Sequence, residues 1–156
     1  MIRFTILGEP ASKANSRQIV TIGGRPSVIK SKKARSYEAD ALRQIPPAAR
    51  QRIEGPVRVT LRIFYASERP DLDEAVVLDV LQDRYQTERK PERHTVFEGM
   101  HTVAPAEKVR VLVQSGVYRN DRQVREKHVF HGIDKANPRT EVLIEPLQAQ
   151  QLELAA

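Results

Sequence analysis

The stretch from Val57 to Tyr65, entered through Gly55-Pro56, constrains the fold more than any other part of the chain. Val57, Val59, Leu61, Ile63 and Tyr65 fall on one side of an extended backbone, and Arg58, Thr60 and Arg62 on the other. A period of two is a strand signature, and strict alternation suits a sheet with one covered face and one wet, basic face. Other segments fit around it. Residues 2–7 alternate as a first strand ending at the turn Gly8-Glu9-Pro10, and residues 11–17 read as a loop. Gln18–Ile22 and Pro26–Lys30 flank Gly23-Gly24 as a hairpin. Ser31 can cap a helix to about Ile45, with Ala34, Tyr37, Ala41, Leu42 and Ile45 at helical spacing and Pro46-Pro47 as its stop.

Beyond Tyr65 the pattern predicts a second helix from about Leu72 to Arg84, with Ala75, Val77, Leu78, Leu81 and Tyr85 as its buried stripe. Residues 86–107 carry many charges and two prolines, Pro91 and Pro105, and read as a partly flexible insertion; Val109–Val113 fits a strand or a helix end. A strand follows from Gln123 to about Ile133, then a turn at Ala136-Asn137-Pro138 and a last strand, Thr140–Ile144. The sum is an α+β fold: a mainly antiparallel mixed sheet with two principal helices, one domain over 1–147, an insertion at about 84–115, and a low-complexity tail over 148–156.

Charge narrows the function. The net charge is +6, but residues 1–70 hold 14 Lys/Arg against 5 Asp/Glu, while 71–156 hold 12 against 15. The densest stretch, Arg25 to Arg35, contains Arg25, Lys30, Lys32, Lys33 and Arg35 with no acid, a composition that binds phosphate backbones without reading sequence; a solvated basic surface is the plainer alternative. There is no cysteine, hence no disulfide or thiolate chemistry, which fits a reducing cytoplasm. No apolar run spans a bilayer and no signal-peptide pattern opens the chain. His94, His101, His128 and His131 lack zinc-site spacing, with His128 and His131 expected on opposite strand faces. Gly23-Gly24 is not part of a P-loop, and no nucleophile elbow occurs.

Within this basic chain, acids gather in Pro70-Asp71-Leu72-Asp73-Glu74 and again at Asn120-Asp121. Asp71 and Asp73, two apart, face the same side of an extended segment at roughly 7 Å. Asp71, Asp73 and Asp121 are hard oxygen ligands of the kind Mg²⁺ takes, and a bound Mg²⁺ would polarise a phosphate and acidify a water. The plainer alternative is a helix start, where Asp is a preferred cap and acids complement the dipole; Asn and Asp at 120–121 are also ordinary turn residues. Asp79 and Asp83, further along the predicted helix, are expected to be exposed.

Arg69-Pro70-Asp71-Leu72-Asp73 leading into a helix, followed by Gly116-Val117 through Asn120-Asp121-Arg122-Gln123-Val124, resembles the RusA family of Holliday junction resolvases. Leu7-Gly8-Glu9-Pro10 with Lys13, Tyr37-Glu38 and Pro138-Arg139 add to the likeness, which spans most of the chain outside about 84–115. The resemblance implies a small α+β homodimer in a bacterial or phage-infected cytoplasm. It would resolve four-way DNA junctions in recombination and repair by symmetric paired nicks, with Mg²⁺ (or Mn²⁺ in its place) held by Asp71, Asp73 and Asp121. Lys13, Arg17, Arg25, Lys30, Lys32, Lys33, Arg35, Arg69 and Arg122 are the candidate DNA contacts. Two departures stand out. Glu74 occupies a position where the family usually has Asn, and Val77 stands where better-known members carry a catalytic lysine. Lys13 is the first candidate to replace that cation. Lys127 is less attractive, since six residues of strand put it roughly 20 Å from Asp121. A junction-binding protein with weak or lost cleavage, and a basic nucleic-acid-binding protein whose aspartates only cap a helix, are the alternatives.

Overall fold

Residues 57–65 form the central element of the molecule. A computed structural model describes residues 1–147; the tail expected over 148–156 lies outside the described residues. In chain order the elements are β1 (Ile2–Leu7), β2 (Arg17–Ile22), β3 (Arg25–Lys30), α1 (Lys32–Gln44), β4 (Val57–Tyr65), α2 (Ala75–Leu81), β5 (Arg84–Lys90), β6 (Arg93–Phe97), β7 (Met100–Ala104), β8 (Glu107–Gln114), β9 (Val124–Ile133) and β10 (Arg139–Pro146). The main sheet has the order β1-β10-β4-β9, antiparallel except for the parallel pair β4–β9. Over the described residues the protein is therefore α+β, with a mainly antiparallel mixed sheet and two α-helices. No helix among the described residues is long and apolar enough to cross a membrane.

One face of the sheet is the core. Val57, Val59, Leu61, Ile63 and Tyr65 are fully buried, beside Ile2, Phe4 and Ile6 of β1 and Val142 and Ile144 of β10. Ala34, Tyr37 and Ala41 of α1 and Val76, Val77, Val80 and Leu81 of α2 cover them. Each fully buried Val, Leu or Ile contributes roughly 1.5–3 kcal/mol, so a strand with four such side chains and a buried tyrosine dominates the packing. α1 starts where its sequence dictates: the Ser31 hydroxyl accepts the Ala34 amide at 3.1 Å.

Two segments depart from their sequence expectation. The second helix is only Ala75–Leu81, not 72–84, because the backbone at both its ends is captured by other partners. Residues 71–74 are held by the Tyr65 hydroxyl, and Asp83 turns away to bind the Gly116 amide at 2.8 Å. Asp83 is buried rather than exposed, with Arg52 on its other oxygen at 2.8 Å; Tyr85, predicted in the helix stripe, is exposed on β5. Residues 86–107, read as partly flexible within an insertion at about 84–115, instead belong to a ladder of β5 with β8 and a hairpin of β6 with β7. Exposure disguised them: nearly every residue of β5, β6 and β7 meets solvent, so none shows an apolar face. Val109–Val113 is strand, inside β8.

Candidate functional site

β4 ends in Tyr65, an aromatic whose ring belongs to the core and whose hydroxyl needs a polar partner. That hydroxyl organises the acidic loop. It donates to the Asp71 carbonyl at 3.3 Å and accepts the Asp73 amide at 3.2 Å, fixing residues 71 and 73 against the sheet. His131, from the same face of β9, stacks on the Tyr65 ring with centroids 5.2 Å apart. His128 takes the opposite face, opposite Thr60 in the ladder, as its parity requires.

The carboxylates differ in their engagement. Asp73 is buried, and its Oδ1 accepts the Ala75 amide at 3.0 Å, so part of the capping role is real. Asp71 is exposed. Glu74 pairs with Lys127 at 2.5 Å, and this contact, helped by Lys13, holds its carboxyl below the usual range. Glu9 joins from the turn after β1. Burial pushes its pKa up, but the Ala66 amide at 2.9 Å and Lys33 at 2.9 Å outweigh this and leave it lowered. Burial raises the Tyr65 hydroxyl, and the charges of Asp73, Glu9 and Glu74 add to the rise. Glu9, Asp73 and Glu74 thus all bear on one hydroxyl through their charge, with Lys33 paired to Glu9 and Lys127 to Glu74.

Asp121 lies elsewhere. Its amide approaches Gln82 Oε1 at 3.3 Å, just past the C-terminal end of α2, whereas Asp73 binds Ala75 at the N-terminal end. A seven-residue helix is about 10 Å long, so the three aspartates divide between its two ends. Among the described residues no three His, Asp or Glu side chains are gathered as a cation cage. The surrounding Asn-Asp-Arg-Gln motif is largely a structural knot. Asn120 and Gln123 form a capping box, and the Gln123 amide group also donates to Ile53 and Gly55 carbonyls at 2.8 and 2.7 Å.

The expected cations are also sorted. Lys13, Arg17, Arg25, Lys32, Lys33, Arg35, Arg69 and Arg122 are exposed. Lys30 is not a free contact: its ammonium bridges Glu38 at 3.1 Å and Asp79 at 2.8 Å, joining β3 to both helices. Val77 is fully buried, so a lysine there would have to abandon the core packing of α2. The expectation that Lys127 stands too far off is corrected. Strand distance from Asp121 is the wrong measure, because the acids that gather precede α2, and β9 lies parallel to β4 with Lys127 on the face that carries them. Sequence reading missed Tyr65, Glu9 and Lys127 as parts of this site; the one available signal was a tyrosine at core parity immediately before an acidic loop. No family model and no curated protein matches this chain.

Proposed function

We propose that this chain is a Mg²⁺-dependent, structure-selective endonuclease of the RusA type, acting as a homodimer on four-way DNA junctions in a bacterial or phage-infected cytoplasm. The observation that carries the reading is the acidic loop Asp71–Glu74, held by Tyr65 at its backbone and paired through Glu74 with Lys127. A loop that served only to cap α2 needs Asp73 alone; the exposed Asp71 and the Lys127-paired Glu74 are acids beyond that need. The donor set is all hard oxygen. It fits Mg²⁺, which commonly takes one or two carboxylates and keeps several waters. Asp71 and Asp73 would hold the ion, with Glu74 adjacent; Asp121 enters as a ligand only through the resemblance. When bound, the ion supplies charge neutralisation at a phosphate and a more acidic water.

The chain's own groups do the rest. Tyr65 fixes the loop backbone so that the carboxylates need no reorganisation. Lys127 and Lys13 hold positive charge beside them, the place where a transferring phosphoryl group develops negative charge. Lys32, Lys33 and Arg35 stand in the first turn of α1, which contains no acid. Cations there oppose the helix dipole, and a phosphate backbone would relieve the opposition while positioning DNA without reading sequence.

A labelled four-way junction incubated with the protein in Mg²⁺, in EDTA, and with Asp73→Asn tests the reading. Asn preserves the cap to Ala75 and removes only the charge. Paired symmetric nicks lost in EDTA and in the variant are expected. A retained complex without nicks would favour a second reading, a junction-binding protein without cleavage, which the burial of Val77 and the separation of Asp121 support. No preference for the junction over plain duplex would reject both.

A further inference from the structure

The ribbon over 84–114 has more exposed apolar surface at its tip than its own fold can use. Every residue of β6 and β7 is exposed, including Val96 (60%), Phe97 (73%), Met100 (72%) and Val103 (53%). Phe97 and Met100 are cross-strand partners flanking the turn Glu98-Gly99, where both residues have positive φ, the conformation of a tight two-residue hairpin. A two-stranded hairpin of this size is marginal alone in water.

The stalk beneath it is sorted by charge. Ladder partners place Thr87 with Arg110, Arg89 with Lys108 and Tyr85 with Leu112 on one face. That face carries three cations and no acid, and the Arg110 guanidinium lies 4.4 Å over the Tyr85 ring. Glu88, Lys90 and Glu107 fall on the other face. Like charges directly opposite in a ladder destabilise it, so the Arg89–Lys108 pair costs the free protein stability that a polyanion would restore. The root is firm: Asp83 binds Gly116 and Arg52, and Arg84 binds Glu38 at 2.7 Å. Higher up, pairing stops at Lys90–Glu107 and resumes at Arg93–Ala104, with Pro91 and Pro105 in the two gaps at the same level. The ribbon is jointed there.

From this we infer that the ribbon is a DNA-binding arm: the face of Arg89, Lys108 and Arg110 lies along the phosphates of a duplex, and Phe97 with Met100 forms an apolar wedge at unstacked bases. Charge complementarity selects nucleic acid over a second copy of the chain, because a copy's opposite face offers only Glu88 and Glu107, offset by Lys90, to three cations. Apolar side chains that unstack a base step while cations hold the backbone are a general route to binding bent or branched DNA. The inference rests on the nucleic-acid reading proposed above and adds an element to it.

The test uses the full chain with a four-way junction and a duplex, each carrying 2-aminopurine. It compares wild type, Phe97→Ser/Met100→Ser and Arg89→Ala/Lys108→Ala. Thermal melts check that the fold persists, as the substituted side chains are on the surface. Binding by wild type should brighten the probe. The tip variant should lose the brightening and about tenfold in affinity, and the stalk variant should flatten the salt dependence of binding by about 2 in log–log slope. Wild-type binding with no change in either variant would overturn the arm while leaving the nuclease reading intact. Absence of any wild-type binding would overturn both. A change of oligomeric state in the tip variant, read by light scattering, with DNA binding unaltered would make the tip a contact between copies and overturn the inference.

Discussion

Tyr65 and Asp83 show how single polar groups decide local structure at the edge of an apolar core. The Tyr65 ring is buried with β4, and its hydroxyl is spent entirely on the backbone of residues 71 and 73. Tyr65→Phe keeps the packing and the place of the His131 stack but leaves the Asp73 amide without its acceptor. The expected loss is about 1–2 kcal/mol in a urea titration, with a larger proportional loss of Mg²⁺-dependent nicking because the loop is no longer fixed. Asp83 is a buried carboxylate whose pKa burial would raise, but the Gly116 amide and Arg52 outweigh this and lower it. Asp83→Ala leaves the buried Gly116 amide without its acceptor and releases the partly exposed Arg52, and should cost about 1–3 kcal/mol by chemical denaturation. A depressed pKa in the folded state means that this stability is present above the unfolded value of about 3.9 and is lost as pH falls through the lower folded value. Glu9 and Glu74, also lowered, act in the same direction. The wild-type Tm should therefore fall steadily with acid below about pH 5, and Asp83→Asn should melt lower at neutral pH but show a shallower acid slope.

Secondary-structure elements differ in how far their own residues explain them. α1 is self-explanatory, with a serine cap, a helical stripe and a double proline after it; Ser31→Ala should remove about 1 kcal/mol, measured as a shifted denaturation midpoint. α2 is the reverse. Its apolar run would continue, yet it spans Ala75–Leu81 because Gly116 brings the chain directly onto residues 81–83. A Cβ at Gly116 would lie 2.3 Å from the Gln82 carbonyl carbon and 2.5 Å from the Asp83 amide, both backbone atoms that cannot swing aside. Gly116→Ala should thus cost about 3 kcal/mol and loosen the root of the ribbon, visible as faster amide exchange at residues 83–86. Apart from Val109–Val113 of β8, the ribbon was illegible in sequence because strands wet on both faces have no apolar alternation to read. Its two prolines mark true interruptions, but only pairing shows that they fall at one level.

For the whole molecule, charge and topology act together. Lys32, Lys33 and Arg35 oppose the α1 dipole and face solvent, so replacing all three with Ala should change stability by less than about 1 kcal/mol, the relieved dipole offsetting the lost Lys33–Glu9 pair. The same variant should weaken DNA binding across all sequences and reduce its log–log salt slope by up to about 3, measured by fluorescence anisotropy over a salt series. The amino-acid sequence by itself determined the apolar faces of β1, β4 and β10, the start and stop of α1, the α+β class and the uneven basic charge. These follow from period, capping and composition, which are local and additive. Only the tertiary structure decided which acids meet. Glu9 reaches the Ala66 amide, just past Tyr65, because β1 and β4 run the same way and end at the same end of the sheet, and Lys127 reaches Glu74 because β9 returns parallel to β4. Asp121 stands apart because the Gly116 contact sends its segment past the far end of α2. Proximity between residues dozens of positions apart is a property of strand order, and no local pattern of residues encodes it.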